Sequence, residues 1–432
     1  DTQYSGDHLL RSTLLQDSSG KVQVIHPNNC LLDINSINVQ LSRRLVPSTW
    51  ADIKSLCNRQ QLDSCPSMPG VLPLYTVVDS SLNEVKALVV ATGIQHQLLK
   101  ISGSEFQKLC ANVTFANISV PFDDLQSSHL DDAQDLNDIN KAVANFTQLR
   151  IKQRLEETLD FPPLPTTAQR IIKLRVNPNA DIQDLTDIVE ADPALAAQVI
   201  SWAASPYYAA PGKIKSVHDA IVRVLGFDLV LNLSLGLALG KSLNLPKDTP
   251  KGFTPYWEQA VYAATAVEAL VGAIAPKERP AMGLAYLSGL LHNFGYLILA
   301  EVFPPHFSNI CRYQEANPFA NHNYIERHLL GVTREQLGGW LMNLWNMPEE
   351  VCSALRFQNE GQFEAEDGIY ANLLFIAMRL LRQHGIGDAP LEPIPAELFT
   401  RLHLDPAKAE EVISNVMEAS VELHSIAKDM AA

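Results

Sequence analysis

Ser288-Gly289-Leu290-Leu291-His292-Asn293-Phe294-Gly295-Tyr296 is the stretch on which the reading of this 432-residue chain turns. It lies within long apolar, alanine-rich segments whose spacing predicts helix. A neutral imidazole beside an anionic carboxylate can bind or bridge a hard divalent ion. Here the imidazole of His292 is followed by the carboxamide of Asn293, which offers only a neutral carbonyl oxygen. The pair lacks the charge that grips such an ion. The function therefore depends on whether other ligands stand elsewhere in the chain.

Composition narrows the classes. A chain of 432 residues predicts two or three domains, and 47% hydrophobic residues are ordinary for a soluble globular protein. Ile221 to Gly240 is the most continuous apolar run, but Arg223 and Asp228 interrupt it, which predicts a buried helix and no membrane span. The start lacks the basic-then-apolar pattern of a signal peptide, and Asp1 in place of Met implies trimming upstream. A net charge of −15 argues against broad nucleic-acid binding and against polybasic membrane contact. It favours a soluble protein partner or a small ligand.

The six cysteines (Cys30, Cys57, Cys65, Cys110, Cys311, Cys352) are far apart and carry no zinc-ligand spacing. They predict buried thiols kept reduced in the cytoplasm. Asn112, Asn117, Asn145 and Asn232 match glycosylation sequons, which are read as chance in a cytoplasmic protein. There is no G-x-S-x-G elbow, no Walker or dinucleotide glycine motif and no activated cysteine. No cofactor is expected.

Residues 1–125 alternate strand-like and helical runs and read as a mixed α/β domain. Lys21 to His26 alternates and ends at Pro27, while Leu74 to Asp79 and Val85 to Ala91 read as buried strands. Ser36 to Leu45 and Thr49 to Gln60 have helical spacing, with Thr49 and Asp52 placed for a capping box. Three short pieces in this region carry a resemblance: Arg11-Ser12-Thr13-Leu14-Leu15, Pro69-Gly70-Val71-Leu72-Pro73-Leu74 and Val77-Val78-Asp79-Ser80-Ser81-Leu82. From Leu9 to Cys110 the chain is similar to the YbaK-type domain, a relative of domains that deacylate mischarged transfer RNA. The resemblance implies a pocket near Arg11, Gly70, Pro73 and Asp79. Editing members carry Lys where this chain has Arg11, whose planar fork stays protonated. Read from the residues alone, Gly70 and Pro73 shape a turn and Asp79 caps the chain after its strand.

Residues 126–160 read as an acidic linker and helix. Between Asp123 and Asp138 there are six Asp and no Lys or Arg, which reads as a solvated boundary. Leu136, Ile139, Val143, Phe146 and Leu149 form an apolar stripe extended by Leu155 and Leu159 towards Pro162-Pro163. Such a stripe packs on its own domain or, as an alternative, forms a dimer seam.

Residues 161–432 read as all-helical, with a C-terminal helical extension. Asp192-Pro193 and Ser216-Val217-His218-Asp219 are helix starts. Pro163-Leu164-Pro165, Glu190 to Leu195, Ser205-Pro206-Tyr207-Tyr208, Ser216 to Gly226, Gly289 to Gly295, Leu337-Gly338 and Trp345 to Glu349 follow in order. With them the region from Phe161 to Gly361 closely resembles the HDOD domain, an output-module relative of the metal-dependent HD phosphohydrolases. Ala204 departs from the Asn that many members carry.

Catalytic relatives use a His on an early helix, a His-Asp pair and further His residues. The resemblance places Gln259, His292-Asn293, Arg334 and Phe357-Gln358 at those positions, so only one imidazole remains. The implied function is a non-catalytic signalling protein without metal, acting through protein partners. Aminoacyl-tRNA deacylation by the first domain, with transfer RNA as partner, is the alternative. A nucleotide in the vestigial helical cavity, with Arg334 as its cation, is the second alternative. His322 and Glu326 share a helix face at four-residue spacing, with His328 nearby, and read as surface contacts.

Overall fold

The computed structural model describes residues 9–95, 97–126, 132–151, 164–208, 212–361, 363–364 and 368–431. The chain forms two compact units. One contains residues up to Leu130 together with Asp248–Gly252 and Pro305–Leu329; the other contains Asp131–Lys247, Phe253–Pro304 and Leu330–Ala432. The chain therefore leaves the helical unit after Pro304 and returns to it at Leu330, so neither unit is continuous in sequence.

Among the described residues the first unit has nine strands: β1 (Leu10–Asp17), β2 (Gly20–Pro27), β3 (Cys30–Leu32), β4 (Val46–Pro47), β5 (Tyr75–Asp79), β6 (Ala87–Ala91), β7 (Leu98–Ser102), β8 (Thr114–Ala116) and β9 (Ser119–Pro121). The main sheet runs β4-β1-β2-β5-β8, while β3 pairs with β9 and β6 with β7. β1 is antiparallel to β2, and β2, β5 and β8 are mutually parallel. Side chains alternate across each strand. Leu10, Ile25 and Val78 thus share one face and pack with Leu88, Val90 and Phe106. Arg11, opposite His26 in the β1–β2 register, belongs to the other face, as do Val77 and Asp79 on β5.

Pro305–Leu329 of the first unit belongs to helices Pro304–Ala316 and His322–Leu330. Asp33 is one of its anchors. This carboxylate caps helix Ile34–Leu41, accepts the Tyr313 hydroxyl and lies 3.6 Å from His328 Nε2. Burial alone would raise its pKa, but the hydrogen bonds from His328, Ser36 and Tyr313 outweigh burial and hold it well below the usual carboxylate range. Asn317 pairs with Leu32 as a strand would, accepting from Leu32 N at 2.8 Å and donating to Leu32 O at 3.1 Å. Phe122 stacks on Tyr324 with ring centroids 4.6 Å apart. Glu326 and His322 are buried here, in contrast to the surface contacts expected of a polar helix. The reason is that this helix packs on a sheet unit far away in sequence.

Among the described residues the second unit is built of helices without strands. Asp192 caps helix Pro193–Ala203 through Ala194 N and Leu195 N, and Ser216 caps the next through Asp219 N at 3.0 Å. That helix, Val217–Ala220, passes into a π-turn at Ile221–Leu225. The apolar stretch Met282–Val302 is long and apolar enough to cross a membrane by composition, and 94% of its most apolar window is buried in the protein. It exceeds Ile221 to Gly240 as the longest such stretch because Arg223 and Asp228 break the latter.

Helix Asp132–Ile151 corrects two expectations. Of the expected stripe, Ile139 is buried, but Leu136 is 45% exposed and Asp135 and Ala142 share the buried face; the side chains of Phe146 and Leu149 lie outside the described residues. Asp135 is no solvated charge. It is paired with Arg356, whose second nitrogen donates to Asp135 Oδ1 at 2.8 Å, and it also accepts from Gln336 Nε2 at 2.7 Å. Leu155, Leu159 and Pro162-Pro163 lie outside the described residues.

Candidate functional site

Two glycines of the opening stretch allow close packing. A Cβ on Gly289 would lie 2.5 Å from Ala264 Cα of helix Tyr256–Ala273, and one on Gly295 would overlap the Arg334 carbonyl. Glycine therefore lets three backbones meet around His292 and Asn293. His292 follows helix Met282–Leu291, and Asn293 opens helix Phe294–Val302. Arg334 begins helix Arg334–Leu344, and Phe357 and Gln358 end helix Glu349–Phe357.

These placements bring the sequence-predicted positions together. Arg334, 3% exposed, donates from one terminal nitrogen to Asn293 Oδ1 at 3.1 Å and to Asp388 Oδ2 at 2.9 Å. Asn293 Nδ2 donates to Gln259 Oε1 at 3.4 Å, and Gln259 Nε2 to Thr254 O at 2.6 Å. Gln358 Nε2 donates to His292 O at 2.7 Å. Phe357 stacks on Phe363 with centroids 4.1 Å apart. The Arg334 guanidinium carbon lies over the Tyr296 ring, 5.3 Å from the ring centroid.

His292 Nδ1 faces the Gly289 carbonyl at 2.7 Å. A carbonyl only accepts, so Nδ1 carries the proton. Burial pushes the His292 pKa down to about 4, so the imidazole is neutral. The set as a whole is one neutral imidazole, three carboxamides, an aromatic ring and a permanent cation with its counter-ion. It does not fit a divalent ion, which needs converging anions and imidazoles. Among the described residues no group of three or more His, Cys, Asp or Glu could hold a metal. Asp388 was not expected from the motifs. It follows the two positive-φ glycines Gly385 and Gly387, a sharp turn that was legible but silent about its target.

On the first unit, Asp79 is spent on structure: its Oδ1 accepts from Ser81 N and Oγ, and its Oδ2 from Ile118 N and Ser119 Oγ. Gly70 and Pro73 are exposed, and Gly70 takes a φ of 80° that suits a turn. No hydrogen bond among the described residues joins either to Arg11 or Asp79. The strand register places Arg11, His26 and Asp79 on one face of the sheet.

The helical unit that carries these residues matches the HDOD domain family over residues 161–361. Residues 161–361 of the chain are thus an HDOD domain. A protein of Marinobacter aquaeolei VT8 named as a candidate for signal transduction is 41% identical, with 100% of this chain and 95% of that chain covered and a TM-score of 0.91. An HDOD domain protein of unknown function from Geobacter sulfurreducens is 18% identical over 67% of this chain and 97% of its own, with a TM-score of 0.51. A Shewanella amazonensis SB2B protein named as a candidate phosphohydrolase is 18% identical over 63% of this chain and 95% of its own, with a TM-score of 0.50. At that identity the last two share the fold. A curated, uncharacterized protein of Treponema pallidum (strain Nichols) is 23% identical over 270 residues; the chain spans about half of it, 51%.

Proposed function

We propose that the protein is a non-catalytic signalling component whose HDOD unit acts through protein contacts and whose α/β unit, similar to YbaK-type domains, binds the signal. The observation that carries this reading is Arg334 held between Asn293 and Asp388. A guanidinium cannot deprotonate near neutral pH, so at the position where catalytic relatives place an imidazole it repels a divalent cation. Without a metal there is no hydroxide at neutral pH for phosphoester hydrolysis. The signalling name of the 41%-identical Marinobacter protein supports the same reading. Binding of transfer RNA is disfavoured by the net charge of −15.

The test is metal analysis of the full chain after incubation with Mn²⁺, Mg²⁺ and Zn²⁺, with hydrolysis of a phosphodiester followed in parallel. Substoichiometric metal and no turnover are expected. One equivalent of metal lost in His292→Ala, with turnover lost alongside, would overturn the reading.

A further inference from the structure

We propose that Arg11 anchors a binding site on the α/β unit for a small molecule bearing a carboxylate, with Phe319 as its positioning residue. Among the described residues none offers the Arg11 guanidinium a carboxylate or a hydrogen-bond acceptor. Burial nevertheless lowers its pKa to about 10. A cation that is partly withdrawn from water without a counter-ion is costly to keep. Two buried carboxylates of the same unit are engaged elsewhere: Asp79 by Ser81, Ile118 and Ser119, and Asp33 by Tyr313, Ser36 and His328.

The guanidinium carbon sits over the Phe319 ring, 3.9 Å from its centroid. Such stacking uses the face of the cation and leaves the in-plane N–H groups available as a fork. Phe319 is 58% exposed, so its burial alone gives little reason for it to be there. Arg11 and His26 lie in one row at the carboxyl end of β2, where open α/β sheets place their ligands. Burial also drives the His26 pKa down to about 4, so His26 adds no second positive charge. One fork with no second cation suits a carboxylate monoanion better than a phosphate dianion. The site stands on the α/β unit alone, and its fate is separate from the metal question.

The test is calorimetric titration of the full chain with sodium benzoate and sodium acetate, and with sodium phosphate at matched ionic strength. Saturable carboxylate binding at one site is expected, with phosphate weaker. Arg11→Lys, which keeps the charge but loses the fork, should weaken it about tenfold. Arg11→Gln should abolish it without lowering the melting temperature. Phe319→Ala should weaken binding, and Phe319→Tyr should restore it. Absence of carboxylate binding to the parent, unchanged binding in Arg11→Gln, or equal affinity for phosphate would each overturn the proposal.

Discussion

Arg334 and Asp388 are joined across 54 residues by a 2.9 Å hydrogen-bonded ion pair, and the acidic partner lies outside the 161–361 span that the HDOD family matches. The cation beside Asn293 is thus neutralised by a residue beyond the matched span. Removing one partner of a buried pair leaves a charge stranded, whereas removing both is close to neutral. Asp388→Ala should therefore lose roughly 3–5 kcal/mol in urea unfolding, and Asp388→Ala with Arg334→Met should recover most of it. A single variant within about 0.5 kcal/mol of the parent would show that the pair is effectively solvated.

The same reasoning separates two aspartates of the acidic stretch. Asp135 is 7% exposed and paired with Arg356, while Asp138 only accepts from Gln134 at 2.8 Å. Asp135→Ala should cost about 3–5 kcal/mol, and Asp138→Ala less than about 0.5 kcal/mol. Equal effects in chemical denaturation would refute the burial of Asp135.

Gly295→Ala drives a methyl group into the backbone carbonyl of Arg334, and backbone cannot step aside as a flexible side chain can. A melting temperature lower by several degrees or failure to fold is expected. Gly272→Ala in helix Tyr256–Ala273 has nothing within 4 Å of the new Cβ and should be neutral or stabilising by up to about 1 kcal/mol. A Gly295→Ala protein as stable as the parent would mean that the two helices are further apart.

Glu268 gives a pH signature. Burial raises its pKa from 4.5 to about 7, and the bond with Tyr208 only partly offsets this. Because the folded state holds this proton more tightly, its contribution is complete below pH 4.5 and lost as pH rises through about 7. The loss is on the order of 3 kcal/mol at most. Buried His26 and His292, both lowered from 6.5 to about 4, act in the opposite sense: their contribution is complete above 6.5 and lost as pH falls through 4. The informative quantity is the difference between parent and Glu268→Gln, which should shrink as pH drops from 7 to 4.5. A pH-independent difference would place Glu268 in water.

What could be read in advance was local. Asp192 before Pro193, Ser216 before Val217 and Thr49 before Trp50 each cap a helix as their spacing predicts, because a cap needs only three or four neighbouring residues. The meeting of Gln259, His292, Asn293 and Arg334 was also legible, through the ordered HDOD motifs. The rest depended on partners that no local pattern encodes. Tyr313 and Asp33 are 280 residues apart, and Arg356 and Asp135 are 221 apart. Asp135 looked solvated because its neighbours are acidic, and Glu326 looked exposed because its helix is polar.

The path of the chain through Pro304 and Leu330 carries a consequence for how this protein can be divided or diversified. A fragment ending at the first linker would keep every strand but lose Phe319, Tyr313 and Asn317, leaving the Arg11 face and the rim of β3 bare. Recombination at one boundary cannot hand the sheet-bearing half to a new host. It would have to carry a graft from the middle of the helical half with it, so inheritance of the two halves is tied by threading as well as by use.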